Sequence, residues 1–254
     1  MTHDLFSLQD RVAIVTGGAG QLGREIVRGL EERGARVAVF DLETDGFRVD
    51  VTDRVAIERA TAEVADEWGA PHVLVNAAAL DSPPDAAAEE VGPVESYPEA
   101  SFDQVMDVNV KGTFLTCQVV GARMAAEGRG SIVNVSSVYG MLSPVQDLYE
   151  FRRRGGDEFY KPIAYSVSKS AIYNLTRYLA TYWAKSGVRV TTLTLAGVSN
   201  DQPKEFVDAY TARMPLGRMA EASEVVGPVV FLASDASSYV TGANLVADGG
   251  WTAW

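Results

Sequence analysis

Residues 12–30 read VAIVTGGAGQLGREIVRGL, and they predict a buried strand, a glycine-rich turn and an amphipathic helix in that order. The strand, residues 12–15, is apolar throughout, which is typical of a strand buried on both faces of a parallel sheet. The helix, residues 20–33, carries apolar side chains at the spacing of one helical face, at Leu22, Ile26, Val27 and Leu30. Gly34 then predicts the end of this helix.

The alternation of short apolar runs and longer helical runs continues to the end of the chain. Further strands are predicted at residues 37–40, 73–75, 131–136, 188–195 and 244–247, and further helices at 55–68, 102–126, 163–185 and 222–233. Such alternation with right-handed crossovers forms a doubly wound parallel sheet, which binds ligands beyond the carboxyl ends of its strands. Two stretches interrupt the pattern: the proline-rich residues 81–100 and the arginine-containing residues 143–161.

Length and composition indicate one globular domain spanning residues 1–254. The chain is 47% hydrophobic, which suits a single large core, and its net charge of −12 argues against nucleic acid and anionic membranes as partners. The first ten residues lack the apolar run of a signal peptide, and no apolar segment reaches the ~20 residues that span a bilayer. We therefore expect a cytoplasmic protein.

Cysteine and histidine usage predicts neither a disulfide nor a metal site. Cys117 is the only cysteine, and it lies in an apolar helical run, so we expect a small core residue. The two histidines, His3 and His72, are far apart and show no zinc-binding spacing with cysteine.

The glycine-rich turn is a candidate phosphate site. Glycine lets the backbone approach a phosphate closely, and the N-terminus of the following helix offers free N–H groups and the positive end of its dipole. We expect a dinucleotide at Gly17, Gly20, Gln21, Leu22 and Gly23; the alternative is a tight turn without a ligand.

Asp41, at the end of the second predicted strand, indicates which dinucleotide is bound. A carboxylate there accepts hydrogen bonds from the adenosine ribose and repels a 2′-phosphate. The residues after it, beginning with Leu42, supply no lysine or arginine for that phosphate. The sequence therefore predicts NAD rather than NADP, with a solvated strand-end aspartate as the alternative.

Tyr165 and Lys169 lie about one turn apart on a predicted helix, so their side chains share a face. A phenol beside an ammonium can donate and accept protons near neutral pH, because the cation favours the charged phenolate. The alternative is an ordinary solvated helix face.

These motifs and five others resemble, in type and order, the short-chain dehydrogenase/reductase family, in its shorter branch. The further motifs are Asp50-Val51, Asn76-Ala77-Ala78-Ala79, Asn109-Val110-Lys111-Gly112, Asn134-Val135-Ser136-Ser137 and Asp248-Gly249-Gly250-Trp251. The resemblance covers nearly the whole chain. It implies a single-domain, doubly wound Rossmann fold with a parallel, seven-stranded sheet.

The resemblance implies a catalytic tetrad of Asn109, Ser137, Tyr165 and Lys169. Tyr165 exchanges a proton with the substrate oxygen, and Lys169 lowers the pKa of the tyrosine and hydrogen-bonds the nicotinamide ribose. Ser137 polarises the reacting group, and Asn109 holds a water that links Lys169 to solvent. Two alternatives stay open: Ser136 in place of Ser137, because adjacent strand residues point oppositely, and a local backbone cap for Asn109.

The same resemblance implies cofactor contacts beyond the glycine turn. They are Asp41, Leu42, Asp50, Val51, Asn76, Ala77, Ala78, Tyr165, Lys169 and Val198. The chain departs from the usual family residues at Gln21, Ala77, Ala79, Thr191, residues 195–197 and Asn200. None of these departures removes a proton-transfer group.

Between Ser137 and Tyr165 the chain is longer than in most members of the family, so residues 143–161 are expected to form an insertion over the substrate pocket. The insertion contains Arg152, Arg153 and Arg154. Arginine binds carboxylates and phosphates through paired N–H groups, so one hypothesis is that an arginine binds an anionic group of the substrate. The alternative is ion pairing with acids of the insertion itself, at Glu150, Asp157 and Glu158.

The predicted function is transfer of a hydride between NAD(H) and a secondary alcohol or ketone of a sugar-like substrate. The insertion and residues 206–217 and 248–254 resemble sugar- and polyol-oxidising members, including gluconate 5-dehydrogenase-like proteins and those of flagellin-sugar pathways. A sugar, polyol or sugar acid is therefore the expected partner. The alternatives are an NAD-binding regulatory or scaffold protein without turnover, and an NAD-using epimerase or dehydratase.

The resemblance also implies a homotetramer. Tyr173, Leu179 and Trp183 are candidates either for a subunit interface or for the core of one chain. We expect Trp251 and Trp254 to pack on a neighbouring subunit, because exposed tryptophans are unfavourable.

Overall fold

A computed structural model describes residues 4–81 and 88–254. His3, Pro83 and Pro84 lie outside the described residues, as does the start of the predicted domain. No helix in the described part of the chain is both long enough and apolar enough to cross a membrane.

A seven-stranded parallel sheet with the strand order β3-β2-β1-β4-β5-β6-β7 forms the centre of the molecule. The strands are β1 (Val12–Thr16), β2 (Arg36–Asp41), β3 (Phe47–Arg48), β4 (Val73–Asn76), β5 (Gly130–Ser137), β6 (Val188–Leu195) and β7 (Asn244–Ala247). The order reverses between β1 and β4, which is the switch point at which doubly wound sheets bind ligands. The predicted fold class is confirmed.

Helices cover both faces of the sheet. They are α1 (Gln21–Glu32), α2 (Arg54–Trp68), α3 (Glu99–Met106), α4 (Thr113–Glu127), α5 (Val138–Met141), α6 (Glu150–Arg154), α7 (Ile163–Trp183), α8 (Lys204–Thr211) and α9 (Val226–Ala233). Short 3-10 helices occur at Ala88–Val91, Val94–Ser96, Gln146–Tyr149, Ala184–Ser186, Ala222–Val225 and Asp235–Ser237, and a π-helix occurs at Asp107–Gly112.

Successive residues of each central strand enter two different cores. Ile14 packs with α2, α4 and α7 on one face, whereas Ala13 and Val15 pack with α1 and α9 on the other. Both faces are buried, which is why these strands are apolar throughout. Cys117 is fully buried in the first core, as predicted.

The structure corrects two predicted helices and adds one strand. The predicted helix at 102–126 is interrupted by the π-helix, because an apolar pattern does not reveal one extra residue in a turn. Only the second part of the predicted helix at 222–233 is α-helical. Pro228 lacks an N–H and is tolerated only in a first turn, so α9 begins just before it. Strand β3 has two residues and escaped detection.

The three large residues predicted either for a subunit interface or for the core lie on the long helix α7. Leu179 and Trp183 lie in the core beneath the sheet, and the hydroxyl of Tyr173 donates to the carbonyl oxygen of Ser137 at 2.9 Å. All three side chains are buried within one chain, as the core interpretation predicts.

Candidate active site

The glycine turn after β1 is packed so tightly that side chains have no room. Gly17 has a φ of +68°, and a Cβ atom there would lie 2.7 Å from the Cα of Ala78. A Cβ atom on Gly23 would lie 2.0 Å from the carbonyl oxygen of Gly17. The turn is therefore pressed between the end of β4 and the first turn of α1, which brings its backbone close to any ligand in the adjoining cleft.

The N-terminus of α1 is open toward that cleft. Its N-cap is Gly20, and no side chain of the described residues caps the helix. The first N–H groups of a helix need an external acceptor, and a diphosphate supplies one. Gln21 follows the cap, and its Nε2 donates to the carbonyl oxygen of Ser199 at 2.6 Å, which ties α1 to the loop after β6.

A cavity of about 770 Å³, the glycine-turn cavity, lies along this turn. Eight of the predicted cofactor residues line it: Gly17, Gly20, Asp41, Leu42, Asp50, Val51, Ala77 and Ala78. Asp41 is fixed at its wall, because its carboxylate accepts hydrogen bonds from the N–H groups of Ala19 at 2.9 Å and Glu43 at 3.0 Å. The cavity has the size and donors for the nucleotide half of a dinucleotide.

A second cavity of about 490 Å³, the Tyr165 cavity, has Gln21 and the end of β5 in its lining. Gln21, Ser137, Tyr165 and Val198 line it, as predicted for residues near the reacting groups. Gly20 lines the glycine-turn cavity and the next residue, Gln21, lines the Tyr165 cavity, so the two cavities lie beside each other at the start of α1.

Five predicted site residues line neither cavity: Leu22, Gly23, Asn76, Asn109 and Lys169. Asn76 is buried in the sheet, where its amide donates to Asn134 at 2.9 Å and accepts from Thr116 at 2.7 Å. These bonds fix the ends of β4 and β5, so the side chain of Asn76 is committed to the interior. Leu22 packs against the core on the α1 side of the sheet.

The two candidate serines point in opposite directions. The hydroxyl of Ser136 is buried and donates to the carbonyl oxygen of Lys169 at 2.9 Å. Ser137 lines the Tyr165 cavity and caps α5, where its oxygen accepts from the N–H of Tyr139 at 3.2 Å. The geometry favours Ser137 over Ser136 as the residue that meets a substrate.

Tyr165 and Lys169 share a helix face, and the Nζ of Lys169 lies 5.7 Å from the centre of the Tyr165 ring. Burial shifts the pKa values of both groups toward their neutral forms. Burial and the negative charge of Asp81 raise the pKa of Tyr165 above its ordinary value, while hydrogen bonding to Ser137 lowers it. Burial lowers the pKa of Lys169 to about 8, and its Nζ donates to the carbonyl oxygen of Val135 at 3.2 Å.

The π-helix places Asn109 between the end of β4 and α7. Its Oδ1 accepts from the N–H of Leu80 at 2.7 Å, and its Nδ2 donates to the carbonyl oxygen of Leu80 at 2.8 Å and to Ser168 at 2.9 Å. The side chain therefore joins the π-helix to the segment after β4 and to α7, and the backbone that it binds lies 29 residues away, so it is not a local cap. The predicted water stays a prediction.

The insertion covers one side of the Tyr165 cavity, and its arginines pair within it. Arg152 bonds to Asp157, and Arg153 and Arg154 bond to Glu150. Arg153 also donates to the carbonyl oxygens of two neighbouring segments, which fixes the loop. Of the three, only Arg152 lines the cavity, and its guanidinium stacks 3.9 Å from the centre of the Phe159 ring.

A row of five aromatic rings was not predicted from the sequence, and four of them line this cavity. Successive ring centres are 4.3–5.5 Å apart, in the order Phe159, Tyr149, Phe206, Tyr210 and Trp251. The row joins the insertion, α8 and the C-terminal segment. Trp251 is therefore buried on Tyr210 of its own chain, and the expectation that it packs on a neighbour is wrong. Trp254 is 81% exposed.

No group of three or more histidine, cysteine, aspartate or glutamate side chains suitable for a metal ion occurs among residues 4–81 and 88–254. His72 accepts a hydrogen bond from the N–H of Val12 at 3.1 Å, just before β4, and lines neither cavity.

A family model described as enoyl-(acyl carrier protein) reductase, of the short-chain alcohol dehydrogenase type, matches residues 17–252. The chain is similar to the D-threitol dehydrogenase of Mycolicibacterium smegmatis, with 32% identity covering 97% of this chain and 95% of that protein.

Solved structures show the same similarity. A short-chain dehydrogenase from Leptospira borgpetersenii with bound NAD⁺ has a TM-score of 0.86 and 31% identity, covering 99% of this chain and 97% of that one. A gluconate 5-dehydrogenase from Burkholderia cenocepacia in complex with NADP and tartrate has a TM-score of 0.80 and 26% identity, covering 99% and 98%.

Proposed function

The chain belongs to the short-chain dehydrogenase/reductase family, and we propose that it oxidises a secondary hydroxyl of a polyol, sugar or sugar acid with NAD⁺. As a member of this family, it is an oxidoreductase that acts on CH–OH groups with a nicotinamide cofactor. One observation carries the proposal: Ser137 and Tyr165 line one cavity together with Gln21, the residue that follows the glycine turn at the start of α1. D-Threitol and gluconate, which name two similar proteins, are a polyol and a sugar acid.

The described residues fit such a cofactor. The uncapped N-terminus of α1 and the glycines beside it would hold the diphosphate. Asp41 would accept hydrogen bonds from the adenosine ribose hydroxyls, and Asp50 and Val51 would flank the adenine. When bound, the nicotinamide ring supplies the acceptor or donor of the hydride. Asp41 supports NAD, because its carboxylate would repel a 2′-phosphate; one of the similar structures holds NAD⁺ and another NADP.

The chain's own residues would handle the proton. Ser137 hydrogen-bonds the substrate hydroxyl and holds it toward Tyr165. The phenolate oxygen of Tyr165 accepts the hydroxyl proton during oxidation and returns it during reduction. Lys169 carries a positive charge below its pKa of about 8, and this charge favours the phenolate. Asn109 fixes the backbone at Leu80 and the hydroxyl of Ser168 beside this pair.

A spectrophotometric panel tests the proposal. Purified protein is mixed with NAD⁺ and D-threitol, D-glucitol or D-gluconate, and NADH is followed by its absorbance. We expect NADH with at least one compound, and a loss of at least ~100-fold in kcat for Tyr165→Phe with unchanged NADH affinity. Near wild-type turnover in that variant would refute the role of Tyr165.

The same panel separates the rival functions. A regulatory or scaffold protein would bind NADH and form none from any of the compounds. An epimerase or dehydratase would consume substrate without net NADH, which chromatography of the reaction mixture detects. The unusual Gln21 gives the regulatory alternative little support, because its side chain braces α1 against the loop after β6.

We also propose that the chain assembles as a homotetramer. Support comes from apolar side chains that one chain leaves in solvent: Trp254 at its C-terminus, and Tyr178 and Tyr182, which stack on each other on the outer face of α7 with ring centres 6.2 Å apart. Sedimentation velocity should give a particle of four chains; a monomer would contradict the proposal. The cytoplasmic location stays a prediction.

A further inference from the structure

Lys161, the last residue of the insertion, brings a second cation to the Tyr165 cavity. Its side chain is only 12% exposed, and its Nζ lies 4.9 Å from the centre of the Tyr165 ring. It lines the same cavity as Ser137 and Tyr165. A mostly buried ammonium requires an anion, because removing it from water without a partner is costly.

The present partner of Lys161 is Asp81, which lies five residues beyond the end of β4. The two side chains form an ion pair, and Asp81 also lines the cavity. The space beside the Lys161 ammonium can therefore hold a carboxylate. The other cations of the insertion differ, because Arg152, Arg153 and Arg154 all pair with acids of the insertion itself.

The two members of this pair differ in their exposure to water. The side chain of Asp81 is 55% exposed, so water can solvate it when another anion takes its place. Lys161 stays buried, so its ammonium needs the new anion as a partner. An incoming carboxylate therefore exchanges one ion pair for another, and the released aspartate returns to solvent. This exchange costs far less than creating a new buried pair.

We propose that Lys161 binds the carboxylate of the substrate, which makes the preferred substrate a hydroxy acid rather than a neutral polyol. The inference rests on the proposed function and narrows its substrate class. Because the ammonium lies against the ring of Tyr165, the carboxylate and the reacting hydroxyl are separated by few bonds. Short polyhydroxy acids fit this spacing, and the aromatic row forms the wall beside them.

The test compares two compounds that differ only in the charged group, D-threonate and D-threitol. Calorimetry measures their binding to the protein saturated with NADH, a mixture in which oxidation does not proceed. We expect wild type to bind threonate at least ten-fold more tightly, which corresponds to about 1.4 kcal/mol. Lys161→Met should abolish the difference, Lys161→Arg should retain most of it, and Asp81→Asn should tighten threonate binding by removing the competing carboxylate.

Arg154→Met is the matched control. It removes one positive charge from the insertion, but Arg154 is 78% exposed and does not line the cavity, so both affinities should stay at their wild-type values. Equal binding of the two compounds by wild type would overturn the inference, and so would a preference for threonate that survives in Lys161→Met. The wild-type comparison depends on no variant.

Formation of NADH tests the proposed function separately from the role of Lys161. Turnover of threitol and threonate with equal efficiency would support the dehydrogenase and overturn the role of Lys161. Binding of threonate that depends on Lys161, without NADH from any compound of the panel, would support the anion site and overturn the dehydrogenase.

Discussion

Replacing Gly23 with alanine should open the glycine turn without removing a polar group. Gly23 lies in the first turn of α1, and its missing side chain is what lets the helix touch the turn. An alanine Cβ would lie 2.0 Å from the carbonyl oxygen of Gly17 and 2.6 Å from the Cα of Gly18. Both atoms are backbone, so no flexible side chain can move aside.

The structure sets the size of the effect. Contacts of a Cβ atom under 3.0 Å essentially do not occur, so the turn must move away from α1 by about 1 Å. Forced packing of this kind costs about 1–3 kcal/mol, which lowers the Tm of a chain of this length by roughly 2–12 °C. The displaced turn would also lose one or two hydrogen bonds to the diphosphate, each worth about 1.5–3 kcal/mol, so NADH should bind at least ~10-fold more weakly.

The assay combines calorimetric titration with NADH and a thermal scan of the ligand-free protein. Gly227→Ala is the matched control, because Gly227 lies in the first turn of α9 and a Cβ atom there meets nothing within 4 Å. The control should keep its NADH affinity, and alanine's better helix propensity should leave its Tm equal or higher. If Gly23→Ala bound NADH as tightly as wild type, the glycine turn would not be the phosphate site.

Three further changes test other parts of the site. Asp41→Ser should lower the ratio of kcat/KM with NAD to kcat/KM with NADP by about ten-fold or more, because it removes the charge that opposes a 2′-phosphate; an unchanged ratio would contradict the role of Asp41. Asp81→Asn removes a negative charge that raises the pKa of Tyr165, so this pKa should fall and kcat/KM for alcohol oxidation should rise at lower pH than in wild type. A rise at higher pH would contradict the direction in which Asp81 shifts the pKa of Tyr165. Trp251→Ala should cost about 3–5 kcal/mol in the free energy of unfolding, while Tyr239→Ala, at a fully exposed ring, should change it by less than ~0.5 kcal/mol in denaturant titrations.

The sheet and its main helices followed from the sequence because their signals are local. Ala13, Ile14 and Val15 are all apolar since both faces of β1 are covered, and the spacing of Ile26 and Leu30 matches one face of α1. The π-helix at Asp107–Gly112 was not predicted, and the contacts made there join Asn109 to Leu80 and Ser168, residues that are distant in sequence. Strand β3 depends on pairing with β2 and has no pattern of its own.

The residues of the site also differ in whether the sequence alone could place them. Glycines 17, 20 and 23 and the acid at Asp41 could be placed from the order of strand, turn and helix. The pairing of the three arginines with acids of the insertion was one of two alternatives from sequence, because those acids are near in the chain. The partner of Lys161 could not be placed, because Asp81 is 80 residues away in the chain. No spacing rule reports such a contact, so the cation that faces Tyr165 became visible only in the folded chain.

The pKa values of Tyr165 and Lys169 show how this site can hold its proton until a reaction begins. Burial disfavours charge on both groups: it raises the pKa of the phenol and lowers that of the ammonium to about 8. In the ligand-free pair burial therefore favours a neutral tyrosine and makes the lysine less readily charged than in water. A positive charge brought beside the phenol reverses this balance, because it favours phenolate. A carboxylate that displaces Asp81 changes the field less, since one negative charge replaces another beside Lys161. It follows that anion binding at Lys161 should govern substrate affinity, while activation of Tyr165 should depend on the cations that surround it.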